Sequence, residues 1–216
     1  MRERCIVILS GGPDSTTLAY WARAEGYEVH ALIFNYGQRA QREIECAVKT
    51  AERLKIHFQV VDLSSLKRLY KGVTSLVDSG IPVASSFERS LIVPFRNGIF
   101  LSIAVAYASS VKARRIFYGA HLEDQAFYPD TRREFYKAFE ASARLGTGEE
   151  ITVEAPFGDI SKSEILKKGY ELGVPFQLTW SCYLNGPKHC GVCESCINRK
   201  RAFREAGLTD PTEYEE

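Results

Sequence analysis

The stretch that decides the fold is Cys5-Ile6-Val7-Ile8-Leu9-Ser10-Gly11-Gly12-Pro13-Asp14-Ser15-Thr16. Its first five residues are apolar without alternation, which suits a strand covered on both faces, as in a parallel sheet. A helical pattern follows from Ser15 to Ala24 and is closed by Gly26. Ser10–Thr16 therefore lies outside the carboxyl end of a strand and at the start of a helix, where α/β sheets bind anions. The two glycines let the main chain fold into a nest of N–H groups close to phosphate oxygens, and Ser10, Ser15 and Thr16 add hydroxyls. A bare Gly-Gly pair would be better explained as a turn without a ligand, but this pattern is longer. It is neither G-x-x-x-x-G-K-[ST] nor G-x-G-x-x-G, which argues against a Walker NTPase or a dinucleotide enzyme.

Working outward, β-rich runs alternate with helical periodicity: strands at Glu28–Phe34, His57–Val61, Arg115–Tyr118 and Ile151–Ala155, and helices at Gln41–Leu54, Ile99–Val111 and Arg132–Ala143. Ser161 and Glu164 form a capping box opening a further helix that stops near Gly173. The economical reading is a doubly wound, mostly parallel α/β sheet. Ser64–Ser90 has weak periodicity and reads equally as short helices or as a mobile flap.

Asp14, an acid placed against a phosphate site, makes sense with Mg²⁺ between the two; its plainer role is N-cap of the helix. Lys162 sits just inside the capped helix, where a cation opposes the helix dipole and needs another reason to be present. A net charge of +1, from 28 basic and 27 acidic residues, gives no electrostatic case for a nucleic-acid partner and favours small-molecule substrates. No signal-type segment is visible, and no stretch approaches the roughly 18 apolar residues of a membrane span, so no membrane partner and a cytoplasmic location are expected.

Four of the six cysteines, Cys182, Cys190, Cys193 and Cys196, fall in the pattern C-x7-C-x2-C-x2-C. Without an export signal such clustering reads as metal rather than disulfide. Four thiolates suit one structural Zn²⁺ per chain, while an iron–sulfur cluster is the competitor, although the C-x3-C-P step of ferredoxins is missing. His189 is a bystander when four cysteines are available, and Cys5 and Cys46 read as small hydrophobes. The chain is expected to form one unit over 1–216, with residues 176–204 as its zinc-binding region.

Ser-Gly-Gly-x-Asp-Ser after the first strand resembles the PP-loop of ATP pyrophosphatases, and Lys162 resembles the phosphate-reaching lysine of their K-x-E setting. Phe34-Asn35-Tyr36-Gly37-Gln38-Arg39, Val93-Pro94-Phe95-Arg96-Asn97, Tyr128-Pro129-Asp130 and Thr179-Trp180-Ser181-Cys182-Tyr183 extend the resemblance to the 7-cyano-7-deazaguanine synthases of the queuosine and archaeosine pathways. The resemblance implies an adenine-nucleotide alpha hydrolase-like fold and ATP-dependent ligation of ammonia to 7-carboxy-7-deazaguanine, followed by dehydration to the nitrile. ATP would be held from Leu9 to Ala19 (Ser10, Gly11, Gly12, Pro13, Asp14, Ser15, Thr16, Thr17 and Leu18 between them), with Mg²⁺. Asp14, Lys162 and Arg96 would be catalytic, and Tyr36, Gln38, Arg96, Asn97, Tyr128 and Asp130 would hold the substrate. Arg96 would steady a carboxylate or phosphate bidentately and Asp130 would accept the paired N–H donors of a guanine-like edge. Relatives imply a homodimer.

Two departures touch the expected substrate pocket. Phe95 stands where many relatives have Gly or Ala, and Gly119-Ala120-His121-Leu122-Glu123-Asp124 differs from the more usual G-V-x-x-x-D-F-S-G. They keep open a specialised paralogue that attaches a deazaguanine to a protein. A tRNA-thiolating PP-loop enzyme would need an RNA platform, for which only Arg199, Lys200, Arg201 and Arg204 offer local charge. A non-enzymatic zinc-ribbon adaptor leaves the Ser10–Thr16 loop unexplained.

Overall fold

The computed structural model describes residues 2–215. Along the chain run β1 (Arg4–Ile8), α1 (Pro13–Ala24), β2 (Glu28–Asn35), α2 (Arg42–Leu54), β3 (His57–Asp62), α3 (Lys67–Tyr70) and α4 (Arg96–Val111). They are followed by β4 (Arg115–Phe117), α5 (Arg133–Thr147), β5 (Thr152–Glu154), α6 (Lys162–Glu171) and α7 (Glu194–Ala206). The strands form one sheet in the order β3-β2-β1-β4-β5, with every pairing parallel. The chain moves outward from β1 through β2 to β3, then crosses to β4 on the other side. The sheet thus reverses its winding between β1 and β4, where α/β sheets open a crevice for ligands.

Alternation along β1 divides the core. Ile6 and Ile8 face a layer containing Leu101 and Ala104 of α4 together with Tyr136 and Ala143 of α5. Cys5, Val7 and Leu9 face Leu18 and Ala22 of α1, Ala47 and Ala51 of α2, and Ile165 of α6. Side chains of period two on the strands and period 3.6 on the helices thus bury both faces. The free Cys5 is wholly enclosed, and burial pushes its thiol up to about 12, as befits a core residue.

Arg89–Val111 is long and apolar enough by composition to cross a membrane, which corrects the expectation that no stretch comes near it. Here that stretch is broken: a short turn at Arg89–Leu91 precedes α4, whose Leu101 and Ala104 are fully buried against the sheet. Ser64–Ser90 forms short turns and α3 rather than one long element. It is tied down by Thr74 Oγ1 and Ser75 N, which both donate to Ser90 O at 2.9 and 2.8 Å, and by Arg39 N donating to Leu76 O at 2.8 Å.

Candidate active site

The loop after β1 is built as its glycines require. Gly11 has φ of +83°, and a Cβ there would collide with the main-chain carbonyl of Glu43 at the start of α2. Gly12 caps α1 and Pro13 takes the first helical position, where the missing N–H costs nothing. Asp14 is therefore not the N-cap. Ser15 Oγ accepts from Ser10 N at 3.1 Å and lies 2.9 Å from Ser10 Oγ, drawing the loop closed. The first N–H groups of α1 have no intrahelical acceptor and open toward the crevice. Across it, Gly119 after β4 lies against Ser15, a second close approach of main chains.

Freed from capping, Asp14 turns to Lys162. Its Oδ2 accepts from Lys162 Nζ at 2.8 Å, joining residues from the first and sixth helices. Burial pushes the Asp14 carboxyl up, but the Lys162 ammonium and His121 outweigh it, so the group lies below its ordinary value. Burial likewise disfavours the Lys162 cation, and Asp14 and Asp124 reverse that, raising it. Among the described residues nothing donates to the buried Asp14 Oδ1, so an oxygen with a formal negative charge is left for a ligand or cation. Lys162 is positioned by the capping box: Ser161 Oγ accepts from Glu164 N at 3.3 Å, and Glu164 Oε2 accepts from Ser161 N at 2.7 Å.

Three acidic or basic groups here were not visible in the sequence. Glu123 accepts from Lys162 N at 3.1 Å and so caps α6 from another segment. His121 Nδ1, 2.9 Å from Glu123 Oε2, holds that carboxyl down at about 2. Asp124, whose Oδ2 accepts from His121 N at 3.3 Å, is raised by burial. All three belong to the Gly119–Asp124 run that had registered only as a departure from a pattern.

The expected substrate residues gather on the other wall of the same cavity, but with changed roles. Arg96 opens α4 and its Nη1 donates to Tyr36 Oη at 3.2 Å; burial lowers and Tyr36 and Glu43 raise its affinity for the proton, with a net rise. Asp130 Oδ2 accepts from Asn97 N at 3.0 Å, so it caps α4 with one oxygen. Gln38 lines the cavity, yet its amide is committed to its own turn, accepting from Tyr36 N at 2.9 Å and donating to Phe34 O at 3.1 Å. Its second amide hydrogen is directed toward Glu43 on the same wall. Tyr128 and Asn97 line the cavity. Leu9, Ser10, Gly12, Pro13, Asp14 and Ser15 line it too. Thr16, Thr17, Leu18 and Ala19 are fully buried beneath the loop, and Leu18 and Ala19 pack in the core.

Cys182, Cys190, Cys193 and Cys196 converge with their sulfurs all within 4.8 Å of one another, and Cys190 Sγ lies 4.0 Å from Cys196 Sγ. Amides point inward as at a thiolate site: Leu184 N and Cys190 N donate to Cys182 Sγ, and Cys193 N to Cys190 Sγ, each at 3.4 Å. This buried cluster is able to hold a metal ion. His189 is not among its ligands: burial lowers its ring to about 4, and Nε2 accepts from Ser181 N at 3.0 Å. Trp180 packs on the cluster and donates its main-chain N–H to Gly11 O at 2.9 Å, linking the cluster to the phosphate loop.

Comparison with known proteins meets this geometry at one point. Residues 4–207 match the family described as Queuosine biosynthesis protein QueC. The chain belongs to the QueC family. The 7-cyano-7-deazaguanine synthase of Caldicellulosiruptor saccharolyticus is 44% identical over 215 residues, covering 98% of this chain and 96% of that protein. That of Methanoculleus marisnigri is 46% identical over 222 residues, covering 99% of each. Among solved structures, the U34-tRNA thiolase NcsA from Methanococcus maripaludis with its [4Fe-4S] cluster aligns with a TM-score of 0.54 at 18% identity, over 95% of this chain and 68% of that one. A 4-thiouridine synthetase in complex with RNA and bound ATP gives 0.54 at 18% identity, over 95% and 50%. These structural likenesses show the fold, of the adenine-nucleotide alpha hydrolase type expected from the phosphate loop. The full-length likeness within the QueC family does not favour the thiolation or specialised-paralogue alternatives.

Proposed function

We propose that the protein converts 7-carboxy-7-deazaguanine and ammonia to 7-cyano-7-deazaguanine at the expense of ATP, cleaved to AMP and pyrophosphate. The observation that carries the reading is the 44–46% identity to 7-cyano-7-deazaguanine synthases over 98–99% of the chain. The chemistry needs a leaving group twice. A carboxylate oxygen attacks the α-phosphorus of ATP and expels pyrophosphate, leaving an acyl-adenylate; ammonia adds, and AMP departs to give the amide. The amide oxygen is adenylated by a second ATP, and loss of AMP and a proton leaves the nitrile.

The chain's own groups suit both rounds. The N–H donors of the loop and the Lys162 ammonium face the place where charge grows on departing pyrophosphate, and they are held there before reaction begins. Arg96, with one donor engaged by Tyr36, keeps others for a carboxylate or phosphate. The unpartnered Asp14 Oδ1 fits Mg²⁺ carried in with the nucleotide, whose charge would offset that of the phosphates. For the cysteine cluster, four sulfurs within 4.8 Å suit a single tetrahedral ion such as Zn²⁺, with Zn–S of about 2.3 Å. A four-iron cubane gives each thiolate a different iron and spreads the sulfurs farther apart. We place the protein in the cytoplasm, with free small molecules as its partners.

The test is mass analysis of products from ATP, ammonium and the acid, repeated with the amide alone. The amide should consume one ATP and yield nitrile without ammonia. An inert amide, or cleavage of ATP to ADP, defeats the reading.

A further inference from the structure

We propose that Glu43 is the side chain that reads the paired N–H donors on the guanine-like edge of the substrate, an assignment that rests on the synthase reading above. A 7-deazaguanine presents N1–H and a 2-amino N–H side by side. An ionised carboxylate with a lone pair open on each oxygen accepts the two in parallel, and no other side chain matches them as well.

Among the described residues four carboxylates line the cavity: Asp14, Glu43, Asp124 and Asp130. Asp14 is paired with Lys162 at 2.8 Å. Asp124 is engaged on both oxygens by His121, through the main-chain N–H and Nε2, each at 3.3 Å. Asp130 already caps α4, its Oδ2 accepting from Asn97 N at 3.0 Å, which ties its carboxylate to the orientation the helix needs. Glu43 differs. The Gln38 amide beside its carboxylate gives one hydrogen to Phe34 O at 3.1 Å and its other toward Glu43, while no main-chain cap among the described residues ties down either Glu43 oxygen. Arg96 acts on it from farther away, with its Nη1 turned to Tyr36 Oη.

Its place in the fold suits the role. Glu43 stands in the first turn of α2, and its main-chain carbonyl packs on Gly11 of the phosphate loop. Tyr36, Phe34 and Phe100 line the same cavity and present flat apolar surface for a bicyclic ring. Burial pushes the Glu43 carboxyl up to about 7, opposed by Arg96 and by the Gln38 amide, so further donors would favour its ionised form. A pair of substrate N–H groups supplies them.

Steady-state kinetics with the natural acid and with its analogue lacking the 2-amino group test the assignment. Wild type should prefer the natural acid by roughly 10–100-fold in kcat/KM, the worth of one hydrogen bond to a charged group. Glu43→Gln should lose most of that preference through a higher KM for the acid, with KM for ATP unchanged. Glu43→Asp should keep part of the preference and serves if the Gln variant fails to fold. A wild-type preference surviving in both variants, or lost instead in Asp130→Asn alone, overturns the assignment. If wild type does not turn over the natural acid at all, the synthase reading fails first, and Glu43 loses the role with it.

Discussion

At the scale of residues, the Asp14–Lys162 pair is the decisive contact, and it changes what substitution should do. Neither residue belongs to the apolar core, yet neither is dispensable for folding. Their side chains are 16% and 19% exposed, so removing one leaves the other enclosed and unpaired. Asp14→Ala or Lys162→Ala should therefore abolish nucleotide turnover and also cost about 1–3 kcal/mol of stability. The double variant Asp14→Leu/Lys162→Met should regain much of that stability and none of the turnover. Urea melts beside pyrophosphate-release assays check both halves; additive stability losses would deny the coupling. The Glu43 carboxyl, raised to about 7 by burial, gives a pH prediction of definite sign. Two N–H donors need the ionised form, so a proton must leave on binding. Affinity for the acid should be full above pH 7 and fall toward tenfold per unit below it. Arg96, Tyr36 and Gln38 face the same carboxyl and keep their charge state over that range. Calorimetric titration without ammonia reads the slope, and Glu43→Gln should flatten it.

At the scale of elements, the site depends on how closely α6 lies against α1, because Lys162 reaches Asp14 only from there. Gly169 sets that distance: an added Cβ would come within 2.5 Å of Thr17 Oγ1 and 2.6 Å of the Phe176 ring, both deeply buried. Gly169→Ala should force the helices apart, costing about 1–3 kcal/mol and lowering kcat more than KM for ATP. Unchanged kcat would show that the spacing does not govern Lys162. This element pair also shows what was legible beforehand. The β1–loop–α1 unit and the Ser161–Glu164 box are written in adjacent residues, so turn chemistry and capping announce them. α7 shows no clear apolar face in the sequence because its buried side includes Arg199, fully enclosed by Thr179, Ser181, Phe176 O and Asp210, and a charged residue hides an inward face. Glu123 capping α6 across 39 residues and Glu43 beside Gln38 and Arg96 exist only once the chain is folded. Asp130 showed its type and place, but not that the N–H of Asn97 would occupy it.

At the scale of the whole molecule, the cysteine cluster and the phosphate loop form one mechanical unit, and the proposed metal should matter to nucleotide binding from a distance. Cys182 follows Trp180 by two residues, and the Trp180 indole N–H donates to Cys182 O at 2.8 Å. The same residue's main-chain N–H holds Gly11 O at 2.9 Å. Cys193 caps α7, which carries Phe203 and Ala202 into the small core beneath Leu166 of α6. Release of the ion would leave four thiols crowded together and loosen both arms at once: Trp180 from Gly11, and α7 from the helix bearing Lys162. Structural zinc is worth about 10–16 kcal/mol in small peptides, against about 5–15 kcal/mol for the net stability of a typical domain. The stripped chain should therefore not merely melt earlier. Chelation by a strong thiol-competent ligand should weaken ATP binding in parallel with loss of α7 protection in hydrogen exchange, and stoichiometric Zn²⁺ should restore both together. Cys193→Ser should mimic the stripped state. If the chelated protein keeps full ATP affinity while α7 exchanges freely, the cluster stabilises only its own end of the chain. If restoration requires iron and sulfide instead, the tetrahedral zinc assignment is wrong, although the coupling through Trp180 would stand.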